Sequence, residues 1–306
     1  MPTIVAVGEL LIDLISTEYA ADFRAASTYE RLPGGSPANL AMNLARLGVD
    51  TALVAAVGQD DSGALLLDAA RAAGVDTTGV ARVAEPTTLI LVTKSRAVSN
   101  FEPYRLADRH ISAEQLAAAG LAAARVVHTT AFALSQPPAR ENILQAFGRA
   151  AAAGARVSTD FNYADKIWGG DRAAGRAVFR HICGLGALVK VSDVDVERLF
   201  GTPVTDPAAV TQTILELGAT VVCLTLGERG VFVRSATEAF HLPARPVTVR
   251  DTTGAGDAFW SGFLAAYVNG HDLTACAKAG RGMAERKLAH LGPLQAPPAL
   301  AILITD

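Results

Sequence analysis

The segment 251–259 places two glycines and an acid at the start of a helical pattern, in the order Asp-Thr-Thr-Gly-Ala-Gly-Asp-Ala-Phe. Apolar residues recur beyond it at three- and four-residue spacing, and Asn269 and Gly270 supply a C-terminal stop, so we predict a buried helix over 254–269. The first backbone N–H groups of such a helix have no partner inside it, and the helix dipole favours an anion at that end. The residue types therefore suit the binding of a phosphate group.

Four residues of this helix start could carry the chemistry. Gly254 and Gly256 let the backbone turn tightly and approach a ligand without a Cβ in the way. The N–H groups of Ala255, Gly256 and Asp257 would stabilise negative charge on the phosphate, and the carboxylate of Asp257 would act as a base on the attacking group. An ordinary helix N-cap is the alternative, since Asp and Gly are common at helix starts.

A second motif, in the run 34–48, begins with a glycine pair and ends with another glycine. A proline in the first turn and leucines at helical spacing predict a short helix over 37–47. Asn39 and Asn43 lie four residues apart on another face, so we expect at least one of them to face a polar ligand. A capped surface helix is the alternative.

Together, and in this order, the two motifs resemble the paired signatures of the ribokinase-like sugar kinases, a family that includes fructokinase, ribokinase, 2-keto-3-deoxygluconate kinase and adenosine kinase. The resemblance covers almost the whole chain, because the stretches 7–13, 160–162 and 224–230 lie where the family carries equivalents. It implies ATP-dependent phosphorylation of a sugar hydroxyl, with Mg²⁺ neutralising ATP and bridging its phosphates.

The resemblance also implies which residues bind the sugar. Asp13 and Asn39 are expected to hydrogen-bond its hydroxyls, with Gly34 and Gly35 permitting close approach. A helix cap is the alternative for Asp13. Further substrate contacts are implied for Phe101, Tyr104, Arg105 and Asn162.

Residues implied for the nucleotide are Lys190, Thr225, Gly227 and Gly230. Thr225 and Gly227 are expected at the C-terminal end of a predicted strand, and open α/β sheets bind ligands at the carboxyl ends of their strands. Gly227 and Gly230 could equally be ordinary turn glycines.

The chain departs from the family at two cation-related elements. The usual Asp-x-Asn-x-Arg pattern at 160–164 has alanine in place of arginine, and the Asn-x-x-Glu element at 192–195 has serine in place of asparagine. Asp195 keeps a carboxylate and is the implied ligand for Mg²⁺. The resemblance also implies a monovalent cation site, for K⁺, near Asp251 and the loop around Gly292.

Strand-like runs alternate with helical ones, which predicts an α/β fold, ribokinase-like by resemblance, with a central mostly parallel sheet flanked by helices. We predict strands over 3–8, 51–57, 125–130, 155–160, 187–191 and 220–226, and a hairpin at 230–234 and 239–242. We predict helices over 37–47, 62–73, 137–153, 172–183, 206–217 and 254–269. No repeat or linker divides the chain, so a single sugar-kinase domain is expected over 1–306.

Two segments, about 14–33 and 87–106, break this rhythm and indicate antiparallel strands. By resemblance they form a small antiparallel β lid over the sugar, which would keep water from competing as acceptor. An antiparallel extension of the main sheet is the alternative. Because an exposed β lid offers a pairing surface, a homodimer through the lid is also expected.

Composition narrows the class of protein. With 306 residues, 50% of them hydrophobic, the chain has enough apolar residues for a large core. A formal net charge of −3 and the lack of a basic run argue against nucleic acid or an anionic membrane as the main partner. No signal peptide or membrane-spanning stretch is recognisable, so a cytoplasmic location is expected. The 3 cysteines and 6 histidines show no metal spacing, and Walker A and nucleophile-elbow motifs are missing.

Three functions remain open. The first is a fructokinase that converts D-fructose and ATP to fructose 6-phosphate and ADP, and it is the one we favour. The second keeps the fold but uses 2-keto-3-deoxygluconate, ribose or a nucleoside as acceptor. The third is a sugar-binding regulator without turnover, which the intact Asp257 and its flanking glycines argue against.

Overall fold

The computed structural model describes residues 1–94, 100–290, 292, 294 and 296–305. The strands in this part of the chain are β1 Ile4–Val7, β2 Leu11–Ser16, β3 Tyr29–Gly34, β4 Thr51–Gly58, β5 Val80–Val83, β6 Leu89–Thr93, β7 Asn100–Tyr104, β8 Val126–Thr130, β9 Arg156–Asp160, β10 Leu188–Ser192, β11 Val221–Thr225, β12 Val231–Ser235 and β13 Ala239–Leu242. The α-helices there are α1 Ser36–Arg46, α2 Asp61–Ala72, α3 Ala113–Ala118, α4 Ala139–Ala152, α5 Arg172–Gly184, α6 Asp193–Phe200, α7 Pro207–Glu216, α8 Ala255–Val268, α9 Leu273–Leu288 and α10 Leu300–Thr305.

A large sheet organises the described residues, with its nine strands in the order β13-β12-β11-β10-β9-β8-β1-β4-β5. Every neighbouring pair from β11 to β5 is parallel, whereas β12 and β13 pair antiparallel as a hairpin at one edge. Parallel strands need crossover connections, and helices supply them here. The predicted α/β fold with a mostly parallel sheet is therefore confirmed.

The two faces of this sheet are covered by separate helical layers. Side chains alternate across a strand, so Val5 and Val7 of β1 belong to the core that includes α4 and α5, while Ile4 and Ala6 belong to the core that includes α1 and α8. All four are fully buried. A strand buried on both faces has no polar alternation, which explains the continuous apolar runs in the sequence.

A second, four-stranded sheet with the order β3-β2-β6-β7 contains the two segments predicted to form the lid, and it is called the lid below. Its outer pairs, β2 with β3 and β6 with β7, are antiparallel, as predicted, while the central pair β2 and β6 is parallel. The lid is therefore a sheet of its own and does not extend the main sheet. Residues 95–99 of the predicted segment 87–106 lie outside the described residues.

The predicted strands and helices are present with small shifts at their ends, but β5, α3, α6, α9 and α10 were not predicted. In α9 the helical signal is weakened by two glycines, Gly280 and Gly282, which lower helix propensity. Those residues have a packing role: a Cβ on Gly280 would lie 2.8 Å from the backbone oxygen of Phe259, and one on Gly262 would overlap the backbone oxygen of Ala279. Helices α8 and α9 therefore pack with their backbones in close contact. Among the described residues, no helix is long and apolar enough to cross a membrane.

Candidate active site

The start of α8 has the geometry that its sequence predicts. Gly254 is the N-cap with φ +75°, a left-handed conformation that favours glycine. The first i→i−4 hydrogen bond is donated by the Ala258 N–H to the Gly254 oxygen at 2.9 Å, so the N–H groups of Gly256 and Asp257 precede the helical series. The Ala255 N–H donates to Thr252 O at 3.3 Å. Of the three expected donors, Ala255 therefore already has a backbone acceptor.

Asp257 is joined to the second predicted motif through both of its carboxylate oxygens. Ser36 Oγ donates to Oδ1 at 2.6 Å, and Asn39 Nδ2 donates to Oδ2 at 2.9 Å. Burial raises the pKa of Asp257, and these hydrogen bonds, together with the charges of Lys190 and Lys287, oppose that rise. A carboxylate with a raised pKa, beside exposed helix N–H groups, is suited to accept a proton.

Asp13, on β2 of the lid, lies close to the same carboxylate. Burial, and then the charge of Asp257, raises the pKa of Asp13 to about 7. Asp13 is in the middle of a strand, so the alternative role as a helix cap is wrong. The glycine pair accommodates this arrangement, because a Cβ on Gly34 would overlap the Asp13 carboxylate and one on Gly35 would overlap the Glu9 backbone oxygen. Close contacts within the protein itself therefore require glycine at both positions.

A cleft of about 500 Å³, including its open mouth, lies between the lid, α1 and the turn 251–254. Asp13, Asn39 and Gly254 line it at the Asp257 side, and Asn43 and Arg46 continue the lining along α1. Positions 39, 43 and 46 share one helix face. Both asparagines therefore line the cleft, and their contact with a polar ligand stays a prediction.

A buried ion pair lies behind the start of α8. Lys190 Nζ is 3.0 and 2.9 Å from the two carboxylate oxygens of Asp160, and both side chains are almost fully buried. Burial opposes the charge of Lys190, but the carboxylates of Asp160 and Asp195 raise its pKa. A Cβ on Gly256 would lie 2.7 Å from Lys190 Nζ. Gly256 is therefore needed for contact with this ammonium, and its missing Cβ faces Lys190.

The expected substrate contacts of the lid belong to a neighbouring cluster. The guanidinium of Arg105 binds Asp108, with Nε 2.9 Å from Oδ2, bonds to Ser135, and lies 4.1 Å from the ring centroid of Phe132. Asn162 accepts from the Phe132 N–H at 3.4 Å. With 4% of its side chain exposed, Arg105 is not the free donor above the sugar that we expected, because Asp108 binds its guanidinium.

The two aromatic residues of β7 have different surroundings. Tyr104 is exposed, whereas Phe101 is half-buried and lies 5.8 Å from Lys166 Nζ. No hydrogen bond or ion pair joins Phe101, Tyr104, Arg105 or Asn162 to Asp257 within the described residues. Their predicted contacts with substrate stay predictions.

Glu9 accepts hydrogen bonds from both α1 and β8, and it was not predicted as a site residue. Its Oε1 accepts from the Ser36 N–H at 3.1 Å, and its Oε2 accepts from Thr130 Oγ1 at 3.0 Å. Burial raises the pKa of Glu9 to about 8. An acid directly after an apolar strand was its only sequence signal. Ser36 was missed as well, because a serine at a helix start resembles a cap.

The residues expected to bind nucleotide lie at the carboxyl end of β11. Thr225 Oγ1 donates to the Val191 oxygen at 3.3 Å. Gly227 and Gly230 have φ of +58° and +94°, so the local turn already requires glycine at both positions. Lys190 is on the neighbouring strand β10, where its ammonium lies beside Gly256 at the start of α8.

Both carboxylates that were expected to bind cations, Asp195 and Asp251, already accept hydrogen bonds within the protein. Asp195 is the N3 residue of α6, where its Oδ2 accepts from Ser192 N at 2.9 Å and from Ser192 Oγ at 2.6 Å. The described part of the chain holds no group of three or more His, Cys, Asp or Glu that could bind a metal. A lone carboxylate still fits magnesium, which keeps water and phosphate oxygens as its other ligands.

The residues at the expected potassium site do not fit a resident metal ion. Lys287 Nζ is 2.7 Å from Asp251 Oδ2 and 3.3 Å from the backbone oxygen of His290. Although burial opposes the charge of Asp251, the hydrogen bond from Lys287 lowers its pKa. A lysine ammonium thus occupies the carboxylate that was expected to bind K⁺, and the expectation of K⁺ at Asp251 is not supported.

Comparison with known proteins shows what this chain is similar to in sequence and in fold. The chain is 34% identical over 293 residues to the ATP-dependent 6-phosphofructokinase of Thermoanaerobacterium thermosaccharolyticum, covering 95% of this chain and 89% of that protein. The solved fructokinase of Halothermothrix orenii is 35% identical, with a TM-score of 0.80 over 92% of this chain and 97% of that one. The fructokinase of Xylella fastidiosa with bound ATP is 26% identical, with a TM-score of 0.84 over 100% of this chain and 98% of that one. The family model described as "pfkB family carbohydrate kinase" matches residues 1–299. The chain therefore belongs to the pfkB family of carbohydrate kinases.

Proposed function

We propose that this protein transfers the γ-phosphoryl group of ATP to a hydroxyl of D-fructose, giving fructose 6-phosphate and ADP. The observation that carries the proposal is the position of Asp257, a partly buried acid at the start of α8 that accepts a hydrogen bond from Asn39, which lines the cleft together with Asp13. The named fructokinases among the similar proteins support fructose as the acceptor.

In the proposed reaction the hydroxyl of the sugar lies between Asp13 and Asp257. Its oxygen bonds to the γ-phosphorus while the bond from that phosphorus to the bridging oxygen of ATP breaks, and its proton passes to the Asp257 carboxylate. The N–H groups of Gly256 and Asp257, with Lys190 behind them, stabilise the negative charge on the transferring group. Ser36 and Asn39 hold the base in place until the sugar hydroxyl displaces one of them.

ATP is proposed to extend from the start of α8 towards Thr225, Gly227 and Gly230, since these lie at the same edge of the sheet as Lys190. Strand register supports this, because Ser192 of β10 pairs with Thr225 of β11. Mg²⁺ carried by ATP would be held by Asp195, and its chemistry is to neutralise and bridge the phosphates.

A sugar phosphate is a second candidate acceptor, and Arg46 favours it. This half-buried guanidinium lines the cleft, and within the described residues it has no hydrogen-bond or ion-pair partner. It lies seven residues beyond Asn39 on α1, about 10 Å at 1.5 Å per residue. A phosphate at the far end of a sugar would suit it, and the similar 6-phosphofructokinase supports this possibility.

The test is an acceptor panel measured by ADP release with Mg²⁺, containing D-fructose, fructose 6-phosphate, 2-keto-3-deoxygluconate, ribose and adenosine. We expect the highest kcat/KM with D-fructose. Arg46→Gln should leave that value within a few-fold of the parent, and the exposed Arg149→Gln serves as the matched control for charge. A parent that prefers fructose 6-phosphate, with the preference lost in Arg46→Gln alone, would establish the second candidate in place of the first.

We further propose that residues 1–306 act as one kinase unit that dimerises through its lid. Exposed aromatic residues on or beside the lid strands, Tyr19, Phe23 and Tyr104, support a surface for pairing. Light scattering coupled to gel filtration tests this, and a monomer at micromolar concentration would refute it. A cytoplasmic location is also proposed, and the free buried cysteines fit a reducing compartment.

A further inference from the structure

Lys287 is a buried lysine in the last turn of α9. Its sequence neighbours, Glu285 and Arg286, suggest a solvated helix end, yet only 8% of the Lys287 side chain is exposed. Lysines are almost never buried unless they are paired, because removing an ammonium from water is costly. The partners here are Asp251 Oδ2 at 2.7 Å and the backbone oxygen of His290 at 3.3 Å.

These contacts tie the end of α9 to the turn that forms the anion site. Asp251 also accepts from the Thr253 N–H at 2.9 Å, and Thr253 directly precedes the N-cap Gly254. A Cβ on Gly254 would lie 3.7 Å from Lys287 Cε, so the side chain runs directly beneath the turn. The Arg250 N–H donates to the Leu288 oxygen at 2.7 Å, which adds a backbone connection at the same place.

The partners of Lys287 are oxygen atoms, one from a carboxylate and one from a backbone carbonyl. Oxygens of these kinds also bind hard metal cations. An ammonium carries the same single positive charge as K⁺, but it is covalently fixed and cannot dissociate. Its charge acts on Asp257 as well, where it helps to stabilise the ionised carboxylate.

We propose that the Lys287 ammonium is a built-in monovalent cation that positions the turn 251–254 and makes phosphoryl transfer independent of added K⁺. Lys287 lines the cleft beside Asp251 and Gly254, and the proposal gives it a positioning role, exerted through Asp251 and the turn. The activity part of this proposal rests on the proposed kinase function, whereas the binding of a cation does not.

The test compares the parent with Lys287→Met, which keeps the apolar stem and removes the charge. Lys278→Met is the matched control, because Lys278 is on the same helix and has no ion pair or hydrogen bond within the described residues. Kinetics and thermal unfolding are measured in tetramethylammonium chloride with and without KCl or NH4Cl. We expect the parent and the control to be insensitive to the cation.

In tetramethylammonium, Lys287→Met should lose at least about tenfold in kcat, the scale seen when a residue that supports a site is removed. K⁺ or NH₄⁺ should restore part of the kcat with a saturable dependence and should raise the Tm of this variant only. The lower limb of its pH profile should move to higher pH, since loss of the ammonium raises the pKa of Asp257. Movement of that limb distinguishes a charge effect from a loss of packing.

Three results would overturn the proposal: a parent activated several-fold by K⁺, a Lys287→Met enzyme as active as the parent without K⁺, or a folded, inactive variant that no cation rescues. If Lys287→Met does not fold, the cation dependence of the parent and of Lys287→Gln decides. If the parent phosphorylates no sugar, the proposed function fails, while the effect of K⁺ on the Tm of the variant still tests the cation site.

Discussion

Replacing Asp257 with asparagine tests the proposed base with little change in shape. The structure defines what is lost: Asn39 Nδ2 donates to Oδ2 at 2.9 Å and Ser36 Oγ donates to Oδ1 at 2.6 Å. An asparagine can accept from Ser36, but its NH₂ group then faces the NH₂ group of Asn39. Losing that hydrogen bond costs about 1–3 kcal/mol of stability, while removing a buried carboxylate offsets part of the cost.

Catalysis should respond far more than stability. Loss of a general base typically costs ~100-fold or more in rate, which corresponds to about 2.7 kcal/mol or more in the barrier. We therefore expect kcat of Asp257→Asn to fall at least about a hundredfold, with ATP affinity within a few-fold of the parent and Tm changed by only a few degrees.

The assay is ADP release under saturating ATP and sugar, with ATP affinity from calorimetry and Tm from thermal unfolding. A matched control is Asn39→Ala, which removes the same hydrogen bond to Oδ2 and leaves the Asp257 carboxylate in place. It should lower Tm by a similar amount, while its kcat at saturating sugar stays far closer to that of the parent. Turnover of Asp257→Asn within a few-fold of the parent would show that another group takes the proton.

Three further substitutions and one pH dependence follow from the same geometry. Gly34→Ala would place a Cβ within the carboxylate of Asp13, so KM for the sugar should rise more than tenfold, and an unchanged KM would mean that this carboxylate does not bind sugar. Gly256→Val would displace the buried ammonium behind α8, so kcat should fall more than sugar affinity; lost sugar binding with unchanged kcat would place the glycine in another site. Arg105→Ala removes a buried ion pair and should lower Tm by several degrees. Its role in specificity is tested by comparing kcat/KM for fructose and for 2-keto-3-deoxygluconate in the parent and in this variant. A parent that prefers the acid sugar, with that preference lost in Arg105→Ala, would refute fructose as the substrate. Burial raises the pKa of Glu9 to about 8 in the folded state, whereas in the unfolded chain it is about 4.5. The free energy of unfolding of the parent should therefore fall as pH rises from about 4.5 to 8, and that of Glu9→Gln should fall less. An equal fall in both proteins would contradict the raised pKa of Glu9.

The sequence was sufficient to predict the start of α8 and the pairing of Asp257 with Asn39 in one site, because glycine position, helix periodicity and the family resemblance agree there. The sequence did not predict the role of Arg105. Its partner Asp108 is three residues away in the short 3₁₀ helix Ala107–Arg109, but Arg105 precedes that helix, so the helical i,i+3 rule does not predict the contact. The contact between Gly256 and Lys190 was likewise not predictable from local pattern, since only tertiary packing places Lys190 beside this glycine.

Glu9 and Lys287 were overlooked for a related reason. Each is a charged residue at the end of an apolar or helical element, where the ordinary expectation is exposure to solvent. Their burial depends on contacts with residues far away in sequence, Ser36 and Thr130 for Glu9, and Asp251 for Lys287. Local pattern carries no information about such contacts.

The close packing of α8 against α9 also determines how accurately the site is assembled. Asp257 is in the first turn of α8 and Lys287 in the last turn of α9, and the separation of these helices is fixed by Gly262 and Gly280. A single added methyl group at Gly262 would force the two helix axes apart, although that position contacts neither the base nor the lysine. Such a variant would fold but would have a lower kcat. The glycines between the two helices therefore determine how precisely the groups for phosphoryl transfer are positioned.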